Sequence, residues 1–151
     1  MYRAAPKDGV AWITGASSGI GRQVALELAA RGFTVVATAR RRPELETLAD
    51  EAKTQRLPGL ILPTAGDATD PAAMRDLFAA IVAAHGRVAL AFLNVGTFVA
   101  APGNPWDADA GWATFEANVR SVANTLDPVV AHMRATGRGQ IAINASLAGW
   151  V

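Results

Sequence analysis

A glycine-rich turn between an apolar run and an amphipathic stretch constrains this sequence more than any other feature. The apolar run covers residues 10–14, the turn reads Thr14-Gly15-Ala16-Ser17-Ser18-Gly19-Ile20-Gly21, and Ile20, Val24 and Leu28 then recur at helical spacing. The pattern predicts a buried strand, a tight turn and a helix with one apolar face. Glycine lets a backbone approach another group without a Cβ atom, and a helix N-terminus offers N–H groups and a positive dipole. Such a turn can bind a pyrophosphate group.

The alternation of apolar runs with helix-like stretches continues along the chain. It predicts further strands at residues 33–39, 60–62, 88–93 and 140–145, and helices from Pro43, from Asp70-Pro71 to Gly86 and from about Asp107 to Thr136. Pro128 should kink or divide the last helix. Strands separated by helices imply a parallel sheet. We therefore expect one α/β domain over residues 1–151, with a doubly wound sheet that has five strands and ends early.

Composition excludes several classes of protein. The chain has 14 Lys and Arg, 13 Asp and Glu, two His, no Cys and a formal net charge of +1. Because nucleic-acid-binding domains usually carry a clustered basic face, we expect no nucleic-acid partner. The lack of cysteine indicates a reducing compartment, and two histidines are too few for a convincing metal site. No apolar run approaches the roughly 18 residues of a membrane span, and no signal peptide is evident, so we expect a cytoplasmic protein.

The spacing of the turn is distinctive. Gly-x-x-x-Gly-x-Gly is neither the Gly-x-Gly-x-x-Gly of the common dinucleotide fingerprint nor a P-loop, although an ordinary glycine-containing turn is the alternative. In this context the chain resembles the short-chain dehydrogenase/reductase family, whose classical members carry Thr-Gly-x-x-x-Gly-x-Gly here. The likeness covers essentially the whole chain and suggests a C-terminally truncated member. It implies a Rossmann-like sheet whose C-terminal strands are missing. It implies that the pyrophosphate end of a nicotinamide cofactor is held by Gly15, Ser17, Ser18, Gly19, Ile20 and Gly21.

The end of the second predicted strand, Thr38-Ala39-Arg40, is the place that meets the adenosine ribose in this family. A carboxylate there would accept hydrogen bonds from both ribose hydroxyls and repel a 2′-phosphate. Arg40 instead offers a planar cationic group suited to phosphate. The resemblance therefore favours NADP(H) over NAD(H). The alternative is that residues 40–42 form a solvated basic loop.

Two further segments resemble cofactor-binding parts of the family. Asp67-Ala68-Thr69 is similar to its Asp-Val-Thr segment, which implies that Asp67 and Ala68 hold adenine, whereas a helix-capping Asp is the alternative. Leu93-Asn94-Val95-Gly96 is similar to its Asn-Asn-Ala-Gly segment, with Leu93 in place of the first Asn. The match implies that Asn94 and Gly96 line the cofactor trough.

Two catalytic positions of the family also have counterparts. Asn118 matches the helix asparagine that orders a water beside the catalytic lysine, although a mid-helix Asn is more often only a satisfied polar residue. The segment Gly139-Gln140-Ile141-Ala142-Ile143-Asn144-Ala145-Ser146 resembles the strand of the catalytic serine. The match implies that Ser146 binds the substrate oxygen.

The proton donor of the family has no counterpart in this sequence. That donor is the Tyr of a Tyr-x-x-x-Lys motif, whereas the chain contains only Tyr2, Lys7 and Lys53, all before Ser146. One reading is that the sequence is an incomplete part of a reductase that acts on a small carbonyl or secondary alcohol. Such a reductase would be active and homo-oligomeric only as a complete chain. The alternative is a 151-residue product that binds a nucleotide or a protein partner without turnover. A Rossmann-like methyltransferase is a distant third reading. It would normally place an acidic residue at the end of the second strand to hold the ribose hydroxyls, whereas this chain has Ala39 and Arg40 there. Under each reading we expect no reductase turnover by the chain as it stands.

Overall fold

Five strands form one parallel sheet within residues 2–97 and 107–146, the part of the chain that the computed structural model describes. They are β1 (Val10–Thr14), β2 (Thr34–Ala39), β3 (Leu60–Ala65), β4 (Val88–Leu93) and β5 (Gln140–Ile143). Their spatial order is β3-β2-β1-β4-β5, and each neighbouring pair is parallel. The predicted α/β, Rossmann-like sheet of five strands is confirmed.

Helices cover both faces of the sheet, as expected for a doubly wound fold. They are α1 (Gly19–Ala30), α2 (Arg42–Thr54), α3 (Pro71–His85), α4 (Ala108–Phe115) and α5 (Ser121–Ala135). Because side chains alternate along a strand, Ile13 of β1 joins the apolar cluster of α1 and α2, whereas Trp12 joins that of α3 and α5. Both side chains are fully buried. None of the described helices is long and apolar enough to cross a bilayer.

The strand order determines where a ligand can bind. β1 lies at the centre, with β2 on one side and β4 on the other, so the chain winds away from β1 in opposite directions. Open sheets of this kind bind ligands in the crevice at the carboxyl ends of the strands, where the order reverses. Thr14 and Leu93, the last residues of β1 and β4, are partners in register at this point. The glycine-rich turn follows Thr14 directly.

The prediction of a helix from 107 to 136 that kinks or divides at Pro128 is wrong about the place of the division. A π-helical segment, Glu116–Arg120, separates α4 from α5, whereas α5 runs through Pro128. Burial of Thr125, Val129 and Met133 holds that part of α5 against the sheet and α3. This packing offsets the roughly 3 kcal/mol that an interior proline costs a helix.

Three smaller differences from the prediction concern the ends of β3 and β5 and the exposure of one side chain in α1. β3 extends past the predicted end to Ala65 and includes Pro63, because β3 is an edge strand in which a missing N–H is tolerated. β5 ends at Ile143, two residues early. Ile20 was expected on the inward face of α1, but its side chain is 58% exposed. The residues of α1 that are buried are Gly21, Ala25, Leu26 and Ala29.

Candidate functional site

Three glycines shape the turn between β1 and α1, two of them through close packing. Gly15 has a φ of +68°, and a Cβ on it would lie 3.0 Å from the Asn94 carbonyl oxygen. A Cβ on Gly21 would overlap the Gly15 carbonyl oxygen. Gly19 has a φ of +55°, and a Cβ there would meet no atom of the described residues within 4 Å. Gly15 and Gly21 are therefore required by packing inside the turn, whereas Gly19 faces open space.

The first turn of α1 opens onto this space without a side-chain cap. Its N-cap residue Ser18 makes no side-chain capping hydrogen bond within the described structure, and its first turn contains no acidic residue. Within the described residues, neither the N-cap side chain nor an acidic residue of the first turn offsets the positive end of this helix dipole. Ile20 is exposed beside it, and Ser17 Oγ accepts a 3.2 Å hydrogen bond from Arg41 Nη2. Such a helix start is suited to an anionic group.

Arg40 and Asp67 lie at the carboxyl ends of the neighbouring strands β2 and β3. Arg40 is exposed directly after β2, and Asp67 follows β3 by two residues. Thr69 holds the pKa of Asp67 below its usual value, chiefly through its backbone N–H and also through its hydroxyl, at 3.0 and 2.8 Å from Oδ1. Burial opposes this effect, and the charge of Arg40 adds to it. Ala68 is buried, and its carbonyl oxygen accepts a 3.0 Å bond from Asn124 Nδ2.

Asn94 connects β4 with the glycine-rich turn. Its backbone N–H lies 3.3 Å from Thr14 Oγ1, and its Nδ2 donates to the Gly15 carbonyl oxygen at 3.2 Å. On the other side, Asn144 Nδ2 donates to Asn94 Oδ1 at 2.9 Å. One half-buried amide thus contacts both the turn and the residue that follows β5.

The predicted catalytic residues lie beyond the ends of β4 and β5. Asn118 belongs to the π-helical segment, a feature frequent at functional sites. Its Oδ1 accepts from the Thr97 N–H at 2.7 Å and its Nδ2 donates to the Thr97 carbonyl oxygen at 2.8 Å. A Cβ on Gly96 would lie 3.1 Å from the same Oδ1. Ser146 is exposed, three residues after the end of β5.

The structure thus places every predicted site residue at or just beyond the carboxyl edge of the sheet, but it connects them unevenly. Hydrogen bonds join Asn94 to the turn, whereas Asn118 pairs with Thr97. Sequence reasoning missed Asn144, Asn124 and Thr14 as partners of site residues. The position of Asn144, two residues before Ser146 on the same strand end, was the available signal. Among the described residues, no group of three or more His, Cys, Asp or Glu could hold a metal ion.

Residues 9–151 match the family model of the short chain dehydrogenases. The chain belongs to the short-chain dehydrogenase family. It is similar to an uncharacterized oxidoreductase of Myxococcus xanthus, with 37% identity over 142 residues that cover 93% of this chain and 54% of the relative. The chain thus spans about half the length of the curated relatives it matches.

Solved structures of short-chain dehydrogenases share the fold and include both cofactors. A metagenomic short-chain oxidoreductase in complex with NADP superposes with a TM-score of 0.80 at 30% identity, covering 93% of this chain and 63% of its own. A short-chain dehydrogenase/reductase from Burkholderia phymatum in complex with NAD gives a TM-score of 0.84 at 27% identity, covering 94% and 50%. The family therefore binds NAD or NADP, and membership alone does not select one.

Proposed function

We propose that this chain is the NADP(H)-binding part of a short-chain reductase that acts on a small carbonyl compound or secondary alcohol. The observation that carries the proposal is the uncapped start of α1, which opens at Gly19 within the crevice beside β1 and β4. The residues present fit a dinucleotide, because a pyrophosphate group needs both a glycine backbone and helix N–H groups. When bound, the cofactor supplies or accepts the hydride.

In this proposal each part of the edge contacts a different part of the cofactor. The N–H groups at the start of α1, the hydroxyls of Ser17 and Ser18 and the side of Ile20 hold the pyrophosphate end. Asp67 and Ala68 hold adenine, and Asn94 and Gly96 line the trough between them and the reacting end. Ser146 binds the substrate oxygen, and Asn118 holds the segment at Thr97.

The choice of NADP(H) rests on Arg40. Its guanidinium is exposed at the end of β2 and makes no ion pair or side-chain hydrogen bond within residues 2–97 and 107–146. Arg41, in contrast, contacts Ser17 and lies 3.2 Å from Glu44 Oε1. Arg40 attracts Asp67 electrostatically, but it can bind a 2′-phosphate without breaking a hydrogen bond or ion pair of the described residues, and no carboxylate occupies its position. A methyltransferase would need that carboxylate.

The sequence contains no Tyr-x-x-x-Lys. Because a carbonyl needs a proton donor as hydride arrives, we propose that this chain by itself binds the cofactor without turnover. The lack of cysteine favours a reducing compartment such as the cytoplasm, and the near-neutral charge favours no nucleic-acid partner. Association into homo-oligomers is proposed only for a longer chain.

Titration with NADPH and NADH, followed by nucleotide fluorescence, tests this proposal. We expect NADPH to bind more tightly, and Arg40→Asp to weaken NADPH by about 10- to 100-fold while changing NADH little, since a charge-assisted hydrogen bond contributes about 1.5–3 kcal/mol. Arg42→Asp is the matched control: Arg42 is also exposed, 3.8 Å from Glu46, and the charge change is the same. Equal weakening of both cofactors by Arg40→Asp would remove the argument for NADP(H). A wild-type chain that binds neither would contradict the function itself.

A further inference from the structure

A row of amides links the end of β5 to the glycine-rich turn. Asn144 Nδ2 donates to Asn94 Oδ1 at 2.9 Å, and Asn94 Nδ2 donates to the Gly15 carbonyl oxygen at 3.2 Å. The backbone N–H of Asn144 also donates to the Leu93 carbonyl oxygen at 2.9 Å, which continues the pairing of β4 with β5. Asn144 therefore sits in a fixed place relative to Asn94.

The orientation of the Asn94 amide decides what the turn contacts. Only the NH₂ side of an amide can donate, so Nδ2 must face the Gly15 carbonyl oxygen and Oδ1 must face away. The donor on Asn144 lies against Oδ1 and favours this orientation over the flipped one. In the flipped orientation, two NH₂ groups would face each other at Asn144 and two oxygens would face each other at Gly15.

The same amide fills the space below the first turn of α1. A Cβ on Gly21 would lie 2.5 Å from Asn94 Nδ2, so the helix start rests directly on this group. The Gly15 carbonyl oxygen also lies against Gly21, because a Cβ on Gly21 would overlap it. A shift of the Asn94 amide would therefore move both the turn and the N–H groups of α1.

We propose that Asn144 is a positioning residue for the pyrophosphate-binding turn, which it controls through the side chain of Asn94. This inference rests on the proposed function, because it concerns the seat of the same cofactor. The side-chain contacts of Asn144 and Asn94 also connect two parts of the site across β4. They link the end of β5, which leads to Ser146, to the turn at the start of α1. Asn144 itself contacts no part of the cofactor in this proposal.

The test compares two ligands in the 151-residue chain and its variants. NADPH contains the pyrophosphate, whereas 2′-AMP contains only the adenosine and the 2′-phosphate. We expect Asn144→Ala to raise the Kd of NADPH by about 3- to 10-fold, the range for one net hydrogen bond, and to leave that of 2′-AMP unchanged. A role in stability alone would affect both ligands alike. Asn144→Leu, which keeps the volume, should give the same pattern and serves if the alanine variant does not fold.

Gln140→Ala is the matched control, because it deletes an exposed amide at the other end of β5, where Oε1 accepts from the Ala4 N–H at 3.1 Å. It should leave both affinities unchanged. Asn94→Ala should weaken NADPH at least as much as Asn144→Ala, and the double variant no more than Asn94→Ala alone. Additive losses, or an Asn144→Ala chain that binds NADPH like the wild type, would overturn the inference. Failure of the wild-type chain to bind NADPH would instead overturn the proposed function.

Discussion

Helices α1 and α3 begin at the same edge of the sheet, but their first turns are built differently. α1 starts after Ser18 with no side-chain cap and no acidic residue in its first turn. α3 starts after Asp70, whose Oδ1 accepts from the N–H groups of Ala72 and Ala73 at 2.9 and 3.1 Å, with Pro71 as the first helical residue. The chain thus satisfies the start of α3 with its own carboxylate, whereas no N-cap side chain does the same for α1 within the described residues.

This difference separates a structural helix start from one that can bind a ligand. A carboxylate at the N-cap uses the same N–H groups that a phosphate would use, and its charge repels a phosphate. An uncapped start is informative only where space is open above it, as it is at Gly19. α2 is also uncapped by a side chain, but its first turn contains Glu44 and a proline. The combination of an uncapped, acid-free and open start therefore singles out α1 from α2 and α3.

The largest effect is expected from a substitution that fills the space under the start of α1. In Gly21→Ala the new methyl group meets the Gly15 carbonyl oxygen, a backbone atom that cannot rotate away. We expect the free energy of unfolding to fall by about 1–3 kcal/mol, the usual cost of overpacking, and the Kd of NADPH to rise by about 30-fold or more. Chemical denaturation and cofactor titration measure the two effects.

Gly111→Ala is the control for that substitution. Gly111 lies inside α4, and a Cβ there would meet no atom within 4 Å in the part of the chain that the structure describes. Because alanine is the better helix former, the control should be neutral or stabilise the chain by about 0.5–1 kcal/mol, with unchanged NADPH affinity. A Gly21→Ala chain that behaves like this control would mean that the turn is not packed as described.

A pair of smaller substitutions tests the two helix starts against each other. Asp70→Ala removes a capping carboxylate and should lower the free energy of unfolding by about 1 kcal/mol without weakening NADPH. Ser18→Ala removes a hydroxyl that caps nothing within the described structure, so it should cost less than about 0.5 kcal/mol. It should nevertheless raise the Kd of NADPH by about 3- to 10-fold. If both variants lose stability alike, Ser18 caps the start of α1 in solution as Asp70 caps that of α3.

Local sequence patterns predict most of the elements because burial determines them. The run at 10–14 and the cap at Asp70-Pro71 lead to β1 and α3 at the expected residues. Local patterns do not predict that β3 continues through Pro63, since a proline usually ends a strand. The edge position of β3 permits this proline. That position depends on the order of the strands in space, which no local pattern contains.

The connections within the site are less predictable because they join residues far apart in the chain. Asn118 pairs with Thr97, 21 positions away, and Asn144 with Asn94, 50 positions away. The π-helical segment around Asn118 likewise has no local signal such as a glycine or a proline within residues 116–120. The residue types proposed to bind a cofactor can thus be selected from the sequence, whereas the contacts that orient them depend on the assembled sheet.

The smallest expected effect concerns the Asp67 carboxylate before α3, which accepts two hydrogen bonds from Thr69. Thr69 N–H and hydroxyl hold the pKa of Asp67 below its unfolded value, close to 3.9, with a smaller contribution from Arg40. A carboxylate whose pKa is lowered by folding stabilises the folded state fully above the unfolded pKa, and this contribution is lost as the pH falls through the folded pKa. The advantage in unfolding free energy of the wild type over Asp67→Asn should therefore shrink as the pH falls from about 5 to about 2. Thr69→Val, which keeps the N–H and removes the hydroxyl, should reduce the pH dependence only in part. Identical pH profiles for the wild type and Asp67→Asn would show that folding does not lower the pKa of this carboxylate.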